Sequence, residues 1–288
     1  MEEVTTAIIG GSGLYDIEGL TNRSEIFIET PFGNPSEPIT IGCLAGERLA
    51  FISRHGTGHT ISPTSIPVQA NIFALKQLGV RQVLSISAVG SLQENIKPLD
   101  IVIPDQLIDR TYKRPSTFFE EDLVAHVSFG NPFCENLRSH LTEVIHNQKI
   151  VCHTDGTYVV IEGPQFSTQA ESNLFRTWNA SVVGMTALPE AKLAREAEMC
   201  YATIAMVTDY DCWKNSVENV NAEMVVQNMQ HNVLQAQYIL EDFVPRIRKL
   251  SQDSCSFALK NAIISNRDYI SEDALTKLEP IVNKYLSV

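Results

Sequence analysis

Short apolar runs and longer amphipathic stretches take turns along this chain. Thr6-Ala7-Ile8-Ile9 carries no charge and predicts a buried strand. It ends in the glycine-rich turn Gly10-Gly11-Ser12-Gly13. Strand-like runs recur at Glu25–Glu29, Leu49–Ser53, Val83–Ala88, Asp100–Pro104, Thr157–Ile161, Val182–Val183 and 201–207. Helix-like stretches separate them. Residues 65–78 predict a helix closed by Gly79, and 133–147 predict another. Thr168 and Glu171 have the spacing of a capping box for a helix reaching about Trp178. The stretch "LPEAKLAREAE" carries Pro189 near a first turn, and a long helix is expected from about Asn221 to Val244. No internal repeat, low-complexity tract or linker interrupts the series. The pattern predicts one α/β domain over residues 1–288, with a mixed central sheet flanked by helices.

Polar residues gather where the apolar runs stop. Ser12, Arg54–His55, Ser87–Ala88, Glu162–Phe166, Met185–Thr186 and Asp209–Asp211 each follow an expected strand. Ligands of open α/β sheets bind at the carboxyl ends of strands, so these segments are expected to share one cleft. The hydroxyls of Ser12, Ser87 and Thr186 and the guanidinium of Arg54 suit an anion such as phosphate, the guanidinium by a bidentate grip. Phe166 suits a flat ring. Asp209 and Asp211 suit an exocyclic amine or a ring N–H. If that segment is extended, the two carboxylates point the same way.

Composition narrows the partners. The chain has 288 residues, 19 % charged, with a formal net charge of -12. Such a charge argues against nucleic acid or an anionic membrane surface as a partner. No apolar run reaches membrane-span length, and the first residues lack a basic leader segment, so a cytoplasmic location is expected. The six cysteines form no C-x-x-C pair and imply no metal. His55 and His59 have i, i+4 spacing, but Gly56 and Gly58 argue against the helix that a metal pair would need. The first glycine turn is not a dinucleotide fingerprint. Its third glycine position is Asp16, and no helical period follows.

Longer stretches carry a resemblance. "IIGGSGLYD", "TPFGNPS", "RHGTGHTISPTSIPVQANIFALKQLG", "SAVGSL", "DIVIPDQLIDRTYKRPSTF", "IEGPQFSTQAES" and "GMTALPEAKLAREAEMCYATIAMVTDYDCW" run in order from about residue 7 to 213. In them the chain resembles the trimeric purine nucleoside phosphorylases, and most closely the branch acting on 5′-methylthioadenosine. The resemblance implies a single α/β domain assembled as a homotrimer. It implies phosphorolysis, with inorganic phosphate as co-substrate and no metal or organic cofactor. By position it places Ser12, Arg54, His55, Ser87, the backbone of Ala88 and Thr186 around phosphate. Met185 flanks the ribose, Phe166 packs on the base, and Asp209 and Asp211 select a 6-aminopurine. His126 is lent to the 5′ end of the site by a neighbouring subunit. Ala222, Val225 and Val226 form the apolar wall there. Gly184 departs from relatives that carry Asn at that position. Ser254-Cys255-Ser256 stands where some relatives form a C-x-C disulfide, so no such bridge is expected.

The implied chemistry makes Asp209 and Asp211 the catalytic pair. Glycosidic cleavage places positive charge on the sugar and negative charge on the leaving base. A carboxyl raised by burial and by a neighbouring acid can protonate purine N7. Two other readings stay open at this point. One is a phosphorylase for adenosine, for inosine and guanosine, or for methylthioinosine; the acid pair argues against the 6-oxopurines among these. The other is a non-catalytic nucleoside sensor, which need not keep both the anion set and the base-side acids.

Overall fold

The computed structural model describes residues 3–11, 14, 17–214, 222–247 and 254–286, apart from the side chains of 222–226. The strands are β1 (Thr6–Gly10), β2 (Thr21–Ile26), β3 (Ile39–Leu44), β4 (Glu47–Ser53), β5 (Gln82–Ser91), β6 (Ile101–Val102), β7 (Gln106–Arg110), β8 (Cys152–His153), β9 (Thr157–Ile161), β10 (Val182–Gly184) and β11 (Cys200–Asp209). The helices are α1 (Val68–Gln77), α2 (Glu135–Asn147), α3 (Gln169–Thr177), α4 (Ala187–Glu196), α5 (Ala222–Ile247) and α6 (Glu272–Val282). All of these strands join one mixed sheet, along the order β2-β3-β4-β1-β5-β10-β9-β7, with β11, β6 and β8 branching from β5.

Alternate residues of the central strands feed two apolar layers, as the twofold period of a strand requires. Ala7 and Ile9 of β1 face the layer that also holds Phe73 of α1, Leu193 of α4 and Leu278 of α6. Ile8 of β1 and Leu84 and Ile86 of β5 face the layer of Leu137 of α2 and Ile239 and Phe243 of α5. The sheet is thus covered on both faces, which is why its central strands read as continuous apolar runs.

β5 organises the site. It lies parallel to β1 on one side and to β11 on the other. β4 is parallel to β1, so the ends of β1, β4, β5 and β11 face the same way. β10 runs antiparallel to Gly90 and Ser91, so its end meets the end of β5 from the opposite direction. Thr186 thereby reaches Ser87, whose hydroxyl lies 2.9 Å from its own.

Several expectations need correction. The strand expected at 25–29 is instead Thr21–Ile26. It is an exposed strand of the sheet with Phe27 just past its end, so no buried run marks it. The strand of 100–104 shrinks to Ile101–Val102, because Asp100 turns back to accept from the Lys97 N–H and Pro104 has no N–H to donate. The helix expected from 65 begins at Val68, after Pro67. The capping box is present as expected, with Thr168 and Glu171 each accepting from the other's backbone N–H. Strands β3, β7 and β8 and helix α6 were not anticipated. A start signal for α6 is present in the chain, since Ser271 caps it by accepting from the Ala274 N–H and Glu272 and Asp273 follow.

Candidate active site

A cavity of about 240 Å³ opens at the junction of these strand ends. Of the residues expected around it, Arg54, His55, Ser87, Ala88, Phe166, Met185, Thr186, Asp209 and Asp211 all border it. Ser12 lies outside the described residues. Ala222, Val225 and Val226 fall on the first turns of α5, with side chains outside the described set. His126 does not border this cavity. It lies in a separate surface depression with Arg195, Phe257 and Lys260.

The two acids close one end. Asp209 ends β11 and is buried. Its Oδ2 accepts from Thr208 Oγ1 at 2.7 Å and its Oδ1 from the Asp211 N–H at 2.7 Å. Asp211 is in the left-handed region at φ 48°, so the segment turns here instead of continuing extended. The expected alternation of an extended strand therefore does not apply, and the turn itself brings both carboxyls to the cavity. Gly90 makes room for that turn, since a Cβ on it would stand 3.0 Å from Asp209 Oδ1 and 3.3 Å from Asp211 Cβ. Burial raises the Asp209 carboxyl above its ordinary range against those two hydrogen bonds. Burial, with the Asp209 charge adding to it, raises Asp211 to about 6. Among the described residues Asp211 Oδ2 is buried with no hydrogen-bond donor in good geometry, and it can accept from a ligand.

The opposite end offers neutral donors. Ser87 and Thr186 form the hydroxyl pair, and Ala88 follows on β5. His55 Nδ1 is 2.9 Å from the Ile61 carbonyl, a contact that places the ring proton on Nδ1 and leaves Nε2 as an acceptor. Burial, and then the charge of Arg54, lowers His55 to about 4, so the ring is neutral at pH 7. The His59 ring stacks on it with centroids 4.1 Å apart. The two histidines meet through a tight turn, and Gly56 and Gly58 both have positive φ there.

Arg54 differs from expectation. Its side chain has no exposure at all. Nε and Nη2 face Glu190 at 2.7 and 3.2 Å. Nη1 donates to the Ile86 carbonyl at 2.7 Å. The guanidinium edge expected to grip an anion in a bidentate way is already held by a carboxylate.

Arg114, Met229, Asn228 and Tyr158 were not singled out from the sequence, and Glu162 was placed only as the start of a strand-end segment. Arg114, on the loop after β7, reaches under the cavity wall. Its Nε donates to Glu162 Oε1 at 3.1 Å, and its Nη1 to the carbonyls of Met185 and Leu188 at 2.5 and 2.8 Å. Glu162 also accepts from Thr64 Oγ1 at 2.6 Å and the Tyr112 N–H at 2.7 Å. Burial alone would push this carboxyl up, but these donors hold it at about 2. Met229 of α5 borders the cavity, and Asn228 beside it donates to the Thr208 carbonyl at 2.6 Å. The space that a side chain at Gly184 would fill is taken by the Tyr158 hydroxyl, 2.3 Å from an ideal Cβ. A polar group from β9 therefore occupies that space. A surface count of polar residues could not find these groups, because each acts from beneath the wall.

Known proteins share this arrangement of chain. The model of the phosphorylase superfamily matches residues 5–245. An S-methyl-5′-thioadenosine phosphorylase of Synechocystis sp. is 49 % identical over 289 residues, covering 99 % of this chain and 89 % of that protein. The crystal structure of a methylthioadenosine phosphorylase from an Antarctic soil metagenomic library superposes with a TM-score of 0.93 at 47 % identity, over 98 % of this chain and 99 % of the other. A methylthioadenosine phosphorylase from Schistosoma mansoni in complex with adenine gives a TM-score of 0.85 at 35 % identity, over 90 % and 96 %. Matched from β1 into α5, and with its strand ends gathered on one cleft, the chain belongs to the phosphorylase superfamily.

Proposed function

We propose that this cleft carries out the phosphorolysis of 5′-methylthioadenosine, and that inorganic phosphate is the anion at its hydroxyl end. An oxygen of phosphate forms a bond to C1′ as the C1′–N9 bond breaks. The products are adenine and 5-methylthioribose 1-phosphate. The observation that carries this reading is the pairing, in one cavity, of two buried acids with a separate cluster of neutral donors. The bond pair leaving with the base places charge on the purine, and a proton on Asp209 answers it at N7. Asp211 Oδ2 accepts from the 6-amino group. Phe166 covers the base at the cavity mouth, and Met185 flanks the ribose. Phosphate lies among Ser12, Ser87, the Ala88 N–H, Thr186 and His55. Neutral His55 accepts from the protonated oxygen of hydrogen phosphate through Nε2. Arg54 stands behind this group. No organic cofactor or metal enters the scheme.

The 5′ end is read from helix register. Ala222, Val225 and Val226 are spaced i, i+3, i+4, and Met229 continues the same face at the cavity. An apolar wall there favours a methylthio group by ~1–2 kcal/mol and leaves the adenosine hydroxyl short of a partner. The expected result is phosphate-dependent release of adenine, with methylthioadenosine preferred over adenosine by ~10–10³ in kcat/KM. Chromatography of adenine with and without phosphate measures this. Release without phosphate would overturn phosphorolysis. A preference for adenosine would overturn the assignment of the helix face, and a preference for inosine that of the acid pair.

His126 belongs to the site only if another copy supplies it, and we assign the chain to a homotrimer in the cytoplasm. Among the described residues no helix is long and apolar enough to cross a membrane. Sedimentation should give three times 32.0 kDa. Dilution to monomer should raise KM for methylthioadenosine, and an unchanged KM in a monomer would remove His126 from the site.

A further inference from the structure

Glu190 sits on α4 with 2 % exposure, facing the sheet from behind the cavity. It is the carboxylate that holds Arg54. Its Oε1 accepts from Nε at 2.7 Å, and its Oε2 accepts from Nη2 at 3.2 Å, from Ser85 Oγ at 3.0 Å and from Tyr201 Oη at 2.9 Å. Ser85 also accepts from Nη2 at 2.6 Å, and Thr203 Oγ1 donates to Tyr201 Oη at 3.2 Å. Burying two charges costs more than packing two apolar side chains of the same volume, so the pair is poorly explained by stability. What it does supply is geometry. Arg54 Nη1 donates to the carbonyl of Ile86, one residue before Ser87, and Nη2 reaches the carbonyl of Ile9 at 3.4 Å, two residues before Gly11. The guanidinium thus ties the ends of β1 and β5 together. Four donors are committed: Nε–H, both Nη2 protons and one on Nη1. Nη1 also stands beside Gly11, whose ideal Cβ would lie only 2.8 Å from it.

We propose that Glu190 is a positioning residue for the anion. By holding the Nε–Nη2 edge of Arg54, it fixes the ends of β1 and β5 around phosphate and presents Nη1 beneath the glycine turn. The inference rests on phosphate occupying the hydroxyl end of the cleft. Ser85 and Tyr201 hold the carboxylate so that it cannot rotate away from the guanidinium. The set reaches the substrate only through Arg54 and the two strand ends, and it touches no part of the base-binding end.

The test is the steady-state rate with phosphate and methylthioadenosine varied separately. Glu190→Gln keeps the shape but replaces an acceptor oxygen with a donor. Its phosphate KM is expected to rise by at least ~10-fold, while KM for methylthioadenosine at saturating phosphate stays within ~3-fold. In combination with Arg54→Met, it should add little beyond Arg54→Met alone, because the two act as a unit. Tyr201→Phe removes one donor to Oε2 and leaves the ion pair in place, while Ser85→Ala removes a donor to Oε2 and an acceptor of Arg54 Nη2 together. They should raise the phosphate KM by ~2–5-fold with the same selectivity, and they decide the matter if Glu190→Gln does not fold. Equal rises in the two KM values, or additive losses in the double variant, would overturn the proposal and leave Glu190 as scaffold. A wild-type rate indifferent to phosphate would instead remove the phosphate reading beneath it.

Discussion

Asp209→Asn is expected to lower kcat/KM for methylthioadenosine by ~10²–10⁴, the range for a lost general acid. Asn keeps the size; its one carbonyl oxygen can still accept from the Asp211 N–H, and its NH2 then faces Thr208 Oγ1, which can donate to the Val89 carbonyl instead. It cannot give a proton to the purine as the C1′–N9 bond breaks. Activity on inosine should fall less, because a 6-oxopurine needs a donor where adenine needs an acceptor. Stability should move the other way. Burial raises the folded pKa of Asp209 above its unfolded value. The sign follows: relative to the unfolded chain, the group stabilises below its unfolded pKa, and this contribution is lost as pH rises through the folded one. At neutral pH the wild type carries that cost and the Asn variant does not. Melting at pH 8 should therefore show the variant at least as stable, with the gap closing toward pH 4. An active variant on methylthioadenosine would remove Asp209 as the N7 partner. A variant destabilised at pH 8 would mean that the carboxylate is held favourably in its charged form.

Arg114→Met should be the most destabilising of these changes. Arg114 and Glu162 are 3 % and 6 % exposed. Removing one member of a buried pair costs about 3–5 kcal/mol, since the other is left charged without its counter-ion. At roughly 2–4 °C per kcal/mol for a large domain, Tm should fall by about 6–20 °C. Activity should fall as well, by ~10² in kcat/KM, because the carbonyl of Met185 loses its anchor and the wall that positions the ribose shifts. Acid sensitivity supplies a second check. Glu162 is held at about 2, so its contribution is complete above the unfolded carboxylate range and is lost as pH falls from there toward 2. In the variant the folded pKa of Glu162 rises toward or above the unfolded value, so this acid loss should shrink or vanish. A Tm within 2 °C of wild type, by the same scale, would show that Arg114 is not the partner that keeps Glu162 charged.

The alternation of apolar runs and amphipathic stretches was enough to place β1, β4, β9 and β11 and most of the helices. Burial on both faces writes itself into the chain as consecutive Val, Ile, Leu and Ala. It was not enough for β2, whose residues are exposed, or for β7 and β8, whose residues are at best half-buried and whose pairing is decided by neighbours far along the chain. Cys134, Cys200 and Cys255 make the same point. They come from three separate elements, with no spacing to connect them, yet their sulfurs lie within 4.8 Å of one another. Cys200 is at the end of β11 opposite Asp209, so this cluster is remote from the cleft.

The candidate site divides in the same way. By itself the sequence determined which chemistry is available and on which strand ends it stands, because hydroxyls, an imidazole and acids that follow apolar runs have only the ends of the sheet to occupy. Only the tertiary structure decided what each group can do. The turn at Asp211, and not strand alternation, aligns the acids. Glu190, more than a hundred residues from Arg54 in the chain, takes the edge of the guanidinium that seemed made for phosphate. The loop with Arg114, remote from β9 and β10, carries the cavity wall. A side chain's type is local, but its unpaired donors, burial and charge state are set by whatever the fold packs against it, and those partners are not neighbours in the sequence.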